Sequence, residues 1–279
     1  MNVVKKKLSN TIALFDMDGT LTPARKKIDD SMIGPMIDLL SVTRVGIVSG
    51  SGIDYITQQC NGLFKELLAR HSLRENLDIL PCNGTQVYKL DPMSHENPLV
   101  KKYAVDMIQK VGEEKYKSLI SKIISLTHEC QANNNIPCTG TFMSYRGSML
   151  NWAPSGRDCN FDKRQAFMDF DKDAGLRVDL VERLASFVED ELHANIDMAI
   201  GGEISIDIFP TGWDKTYALR HYPDFIYSFV GDRCTPPGND YPIYSNVENL
   251  GYPVYNVSDP SDTIDIINNR LIPYFSKGQ

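Results

Sequence analysis

The chain lacks any apolar run approaching the roughly 18 residues that a membrane-spanning helix requires. It also lacks an excess of positive charge. Its 29 Lys and Arg against 36 Asp and Glu leave a net charge of −7, which argues against nonspecific binding to nucleic acid or an anionic membrane. An anionic substrate must therefore meet arginines clustered locally. The six cysteines, at 60, 82, 130, 138, 159 and 234, form no CxxC pair and have no histidine at zinc-ligand spacing, so neither a metal knuckle nor a redox motif is indicated. Reduced, structural thiols are expected. The basic N-terminal stretch MNVVKKKLSNT runs directly into the first expected strand. A soluble cytoplasmic protein without nucleic-acid or membrane partners is the expectation.

What is present is more specific. With 279 residues, 42% of them hydrophobic, the chain suffices for one large or two ordinary domains with a full core. The informative stretch is Thr11 to Arg25, TIALFDMDGTLTPAR. Ile12, Ala13, Leu14 and Phe15 are near-continuously apolar, as in a parallel strand covered on both faces, and Asp16 falls where such a strand would end. Ligands of open α/β sheets bind at that edge. Turn chemistry explains Asp18-Gly19 but not Asp16. Two carboxylates this close repel unless a cation or a shared proton relieves them. The pair suggests covalent phosphoryl chemistry, one carboxylate attacking phosphorus and the other handling the proton.

Asp29-Asp30-Ser31 offers N-caps for a helix with Met32, Ile33, Met36, Ile37 and Leu40 on one face, Pro35 being tolerable only in its first turn. Arg44 to Gly50 is a second expected strand, ending in Ser49 and Ser51 among glycines, where N–H groups and hydroxyls can hold an anion. Ile53 to Ala69 reads as helix and Leu77 to Leu80 as a third strand. From about Asp91 to Thr211 the rhythm changes. A long helix over Lys101 to His128 is followed by short strands over Thr141 to Arg146 and Ser148 to Ala153. An amphipathic helix over Gly175 to His193 precedes alternating strands over Ile196 to Ile200 and Ile204 to Phe209. The β-then-α rhythm resumes with Lys215 at a helix start, the strand Phe225 to Val230 running into Gly231-Asp232, and Val254 to Val257 before a helix over Thr263 to Leu271. The expected fold is α/β: a parallel-sheet core of residues 1–87 and 212–279, interrupted by an inserted α+β cap of residues 88–211. Asp16, Asp18, Ser49, Ser51, Lys215, Asp232 and Asp240 then share one edge of the sheet, with the parts a magnesium-dependent phosphoryl-transfer site needs.

The run Asp16-Met17-Asp18-Gly19-Thr20 resembles the DxDGT motif of the haloacid dehalogenase (HAD) superfamily. DGTLTPARKKI, GTFMSYRGSMLNWAPSGRDC, GGEISIDIFPTGWDK and GDRCTPPGND, in that order, extend the resemblance along nearly the whole chain to the eukaryotic-type α-phosphomannomutases. The resemblance implies a HAD-like Rossmannoid core with a specificity-setting cap. It also implies interconversion of mannose 6-phosphate and mannose 1-phosphate through an aspartyl phosphate, with the glucose phosphates left open as further substrates. Asp16 matches the nucleophile and a magnesium ligand, and Asp18 the acid/base that also offers its carbonyl to the metal. Asp232 matches the remaining carboxylate ligand, and Lys215 the cation that neutralises the phosphoaspartate.

Arg25, Arg146 and Arg157 match phosphate-binding arginines, Ser205 and Asp207 match residues that hold sugar hydroxyls, and Gly202 lies in the same contact stretch. Tyr244, Asn246 and Asn249 fall where the family has a second cation loop, with an amide where a carboxylate is expected. Two further departures stand out: Thr139 replaces an arginine before Gly-Thr-Phe, and Ser49-Gly50-Ser51 replaces Gly-Gly-Ser. A hexose 1,6-bisphosphate activator, a place in GDP-mannose biosynthesis and a homodimer through the cap are implied in the same way. A HAD-type sugar phosphatase is the alternative, favoured by Thr139 and Ser49. The clustered like charges argue against a catalytically silent binding protein.

Overall fold

The computed structural model describes residues 10–91 and 98–277, so the basic stretch Met1–Ser9 lies outside the described residues. In chain order the strands are β1 (Thr11–Phe15), β2 (Arg44–Val48), β3 (Leu77–Leu80), β4 (Gln86–Leu90), β5 (Leu99–Ala104), β6 (Met143–Tyr145), β7 (Leu150–Trp152), β8 (Ile196–Gly201), β9 (Ser205–Pro210), β10 (Ile226–Gly231) and β11 (Val254–Asn256). The α-helices are α1 (Asp30–Val42), α2 (Ile53–Leu68), α3 (His71–Arg74), α4 (Met107–Val111), α5 (Glu113–Asn133), α6 (Phe161–Ala174), α7 (Leu176–Phe187), α8 (Tyr241–Asn249), α9 (Pro260–Ile266) and α10 (Ile272–Ser276). Among the described residues no helix is long and apolar enough to cross a membrane.

Two compact units result: one runs to Ala104 and resumes at Lys215, and the other takes Val105–Asp214. The first contains one sheet in the order β11-β10-β1-β2-β3-β4-β5. The five strands from β11 to β3 are parallel, whereas β4 and β5 turn back antiparallel. A core ending at residue 87 is therefore too short, because the rest of β4 and all of β5 belong to this sheet. From β1 the chain moves outward through β2 and β3, then returns to the other side as β10 and β11. That makes β1 the topological switch point, with the ends of β1, β2 and β10 bordering one crevice. Apolar layers cover both faces of β1: Ala13 and Phe15 pack in one buried cluster with Met36, Val45 and Leu63, while Ile12 and Leu14 pack in the other with Ala218, Phe229 and Ile243. Double coverage is why four apolar residues follow one another.

Asp29 caps α1, its carboxylate accepting from the Ser31 N–H at 2.9 Å. Pro35 lies inside α1, past the first turn, so it breaks the expected rule. Met32, Met36, Leu39 and Leu40 are fully buried on that helix, and their burial outweighs the backbone hydrogen bond that proline cannot donate.

The second unit is built on an antiparallel sheet in the order β6-β7-β9-β8, with α7 against β8 and β9. Trp152 Nε1 donates to Thr127 Oγ1 at 2.9 Å, tying β7 to α5. The long helix expected from Lys101 does not form there. Lys101–Ala104 are edge strand, and Gly112, at φ 92°, separates α4 from α5. An edge strand carrying exposed Lys101 and Lys102 has no inward alternation to betray it. Helix α6 is an addition, capped by Asn160, which accepts from the Lys163 N–H at 3.0 Å.

Candidate active site

The Asp16 N–H remains on the β ladder and donates to the Val230 carbonyl at 2.9 Å, which fixes the residue at the end of β1. Lys215 opens a 3-10 turn over Lys215–His221 and is only 1% exposed. Its Nζ donates to the carboxylates of Asp16 and Asp240 together. Asp16, Asp232 and Asp240 each offer a carboxylate oxygen, and these atoms lie within 4.8 Å of one another. Asp240 is fully buried, and its Oδ2 also accepts from the Arg233 N–H at 3.1 Å. Gly19, at φ 86°, makes room for the cluster: a Cβ there would sit 2.5 Å from Asp232 Oδ2.

Three carboxylates around one ammonium leave negative charge uncompensated. Burial and the neighbouring Asp240 hold Asp16 well above the usual carboxylate range, against the opposing pull of Lys215. Burial and Asp240 likewise push Asp232 up to about 6. Burial alone would lower Lys215, but Asp16 and Asp240 outweigh it and keep the ammonium protonated. Hard oxygen donors short of positive charge fit a magnesium-sized cation.

Asp18 does not join this cluster through its carboxylate. Its Oδ1 accepts from the Arg25 N–H at 2.8 Å. Arg25 takes φ 60°, and its guanidinium lies 5.6 Å from the ring centroid of Tyr55. At the end of β2, Ser49 is 3% exposed and its Oγ accepts from the Ser51 N–H at 3.1 Å. The Ser49 and Ser51 carbonyls accept from Asn83 and Cys82 at 2.8 and 3.1 Å, so the serine loop is stitched to the end of β3. Tyr244, Asn246 and Asn249 lie along α8 rather than in a loop. Asn246 and Asn249 are exposed, the Asn246 carbonyl accepts from the Leu250 N–H, and the Asn249 amide turns back to Ser245 Oγ at 3.4 Å.

A second constellation lies in the other unit. Alternation along β9 puts Ile206 and Ile208, both fully buried, opposite to Ser205 and Asp207. Arg146 Nη1 approaches Asp207 Oδ1 at 3.8 Å, and Arg157 Nη1 donates to Asn151 Oδ1. Gly201 lies under Asp207, where a Cβ would come 2.5 Å from Oδ2. Ser205 Oγ donates to the Gly201 carbonyl at 2.9 Å, and Gly202 takes φ 53° in the same turn. Thr139 points into the unit's own backbone, its hydroxyl donating to the Ser155 carbonyl at 3.0 Å.

Sequence reasoning missed three of these groups. Asn151 interrupts a buried apolar strand, a signal that was available in the alternation Leu150-Asn151-Trp152. Arg164, buried on α6 and 3.2 Å from Glu203, and Arg177, whose Nη1 donates to the Gly202 and Ser205 carbonyls at 3.3 Å, carried no such signal.

A family model described as eukaryotic phosphomannomutase matches residues 33–273. A phosphomannomutase of Dendrobium officinale is 37% identical over 261 residues, covering 93% of each chain. One from Schizosaccharomyces pombe is 33% identical over 274 residues, covering 94% of this chain and 95% of that one. Among solved structures, an N-terminally truncated IMP-nucleotidase of Plasmodium falciparum aligns with a TM-score of 0.62 at 13% identity, over 97% of this chain and 72% of that one. A trehalose-6-phosphate phosphatase related protein aligns at 0.51 and 14%, over 96% of this chain and all of the other. These two likenesses concern the fold, which is the HAD-like α/β arrangement.

Proposed function

The chain belongs to the eukaryotic phosphomannomutase family, and from that premise we propose that it interconverts mannose 6-phosphate and mannose 1-phosphate with Asp16 as the phosphate carrier. The observation that carries the assignment is Lys215 bridging Asp16 and Asp240 at the end of the switch-point strand. A strand-end carboxylate beside a buried ammonium can attack phosphorus once a bound cation relieves its crowding, and the same ammonium then neutralises the phosphoryl adduct. Phosphorylated Asp16 gives its phosphoryl group to a hexose monophosphate; the resulting bisphosphate reorients, and Asp16 takes back the other phosphate. Asp18 removes the proton from the accepting hydroxyl and returns one to the leaving oxygen. Arg146 and Arg157 hold the phosphate that is not reacting, and Asp207 and Ser205 read sugar hydroxyls. Magnesium, held by Asp16, Asp232 and Asp240 with the Asp18 carbonyl, would supply positive charge to the phosphoryl oxygens.

Catalytic hexose 1,6-bisphosphate primes Asp16, the product feeds GDP-mannose synthesis in the cytoplasm, and the working form is a homodimer through residues 105–214. A sugar phosphatase is the second reading, and the inward-turned Thr139 hydroxyl favours it because that position supplies no cation. One assay separates the two: mannose 1-phosphate with magnesium and a catalytic amount of bisphosphate, following mannose 6-phosphate and inorganic phosphate together. Transfer predominates if the mutase reading holds. Stoichiometric phosphate release without isomerisation would overturn it.

A further inference from the structure

Asn151 and Asp207 are direct cross-strand neighbours on β7 and β9, and both side chains are almost wholly buried. Asn151 Nδ2 donates to Asp207 Oδ1 at 2.6 Å, while Asn151 Oδ1 accepts from Arg157 Nη1. The same Asp207 oxygen faces Arg146 at 3.8 Å. Arg157, Asn151, Asp207 and Arg146 therefore form one continuous chain of contacts. A carboxylate can only accept and a guanidinium can only donate, so these partners fix which way the amide points. No other side chain of this length offers both functions: aspartate has no donor when ionised, and leucine has neither. A neutral amide in this position links the Arg157 guanidinium to the Asp207 carboxylate.

We propose that Asn151 is a positioning residue of the transfer reaction, setting Arg157 and Asp207 at a fixed separation so that one sugar phosphate engages both. This rests on the reading above that Arg157 holds phosphate and Asp207 holds a sugar hydroxyl. The array favours ligands whose phosphate and ring hydroxyl are rigidly spaced, a hexose phosphate over inorganic phosphate or a short, flexible polyol phosphate. Asn151 touches no reacting atom; it acts through Arg157 and Asp207.

The test is a double-mutant cycle on the full chain, with kcat and KM for mannose 1-phosphate and a melting curve for each variant. Asn151→Leu is close in volume and removes both contacts. Its KM should rise about tenfold, more than kcat falls, because one charge-assisted bond on each side is lost. In an Arg157→Ala background the same substitution should raise KM by clearly less than it does in the native chain, since its route through Arg157 is gone and only the one through Asp207 remains. A general packing defect would instead add in full. If Asn151→Leu melts below the assay temperature, Asn151→Ser, polar but too short to reach both partners, carries the same cycle. Should Arg157→Ala raise KM while folded Asn151 variants keep the wild-type value, or should the two effects simply multiply, the positioning role is wrong. Should Arg157→Ala itself leave KM unchanged, the phosphate role of Arg157 falls and this inference with it.

Discussion

Lys215 donates to the carboxylate of Asp16 across 199 residues of sequence, and it reaches Asp240 with the same nitrogen. Among the described residues this ammonium is the side-chain cation that pairs with both buried carboxylates. Lys215→Met should therefore destabilise the metal-free protein by about 3–5 kcal/mol, the usual cost of stripping one partner from a buried ion pair. Magnesium should restore part of that loss. Melting curves in chelator and in magnesium check it, and an unchanged midpoint in chelator would mean that the carboxylates find relief elsewhere.

Asp16→Asn has the opposite sign for stability. It keeps the shape of the side chain and removes one negative charge from a group of three, so the midpoint should hold or rise while turnover disappears. Substantial transfer by a deamidation-free preparation would sink Asp16 as nucleophile. For the metal, Asp232→Ala should weaken magnesium binding without unfolding the chain, as read by titration calorimetry. Wild-type affinity in that variant would show that Asp16 and Asp240 hold the ion without Asp232.

Much of this site was legible because a doubly covered strand announces its own end. Four apolar residues followed by an aspartate can be recognised in a linear sequence, and so can Gly231-Asp232 after Phe229-Val230. Asp78 was not legible in the same way. In the middle of buried β3 it accepts from the Tyr222 hydroxyl at 2.8 Å and pairs with Lys89, with Arg44 3.8 Å away. Those partners come from three other segments, and no local pattern foretells them. The edge strand β5 and helix α6 escaped for a related reason: α6 buries only Arg164 and Phe167, too few residues to make a stripe.

Tyr222→Phe tests that network. Removing the hydroxyl leaves a buried carboxylate with one donor fewer, which should cost about 1–3 kcal/mol. Urea unfolding measures it, and a change below about 0.5 kcal/mol would show that Lys89 and Arg44 suffice.

Thiol labelling tests the expectation of structural cysteines. Burial, with a contribution from Asp18, pushes the Cys60 thiol up to about 12, and burial pushes Cys130 up to about 11. Cys138 is exposed. At pH 8 the native protein should react quickly at Cys138, while Cys60 and Cys130 react only on unfolding. Raising the pH to 9 should not bring Cys60 into play, because its thiolate remains scarce well below 12. Mass spectrometry of pulse-labelled peptides distinguishes the sites, and fast native labelling of Cys60 would contradict its burial.

The partition between transfer and hydrolysis gives the most informative prediction. If Arg146 and Arg157 hold the idle phosphate, replacing either by alanine should weaken sugar-phosphate binding roughly ten- to a hundredfold, the worth of one or two charge-assisted hydrogen bonds. The same loss should raise the ratio of inorganic phosphate to isomerised sugar, because a loosely held bisphosphate escapes and leaves the aspartyl phosphate to water. Thr139→Arg is a subtler case. Adding a cation there should lower that ratio, yet the native threonine donates to the Ser155 carbonyl and crowds Gly156, where a Cβ would come 2.5 Å from its Oγ1. The arginine must give up that bond and swing outward, so the variant should lose about 1 kcal/mol of stability whatever it does to the products. A paired assay of both products for the three variants, with melting curves alongside, separates the effects. Alanine variants with unchanged affinity and an unchanged ratio would show that these arginines do not clamp the substrate, and would leave the phosphatase reading as the stronger one.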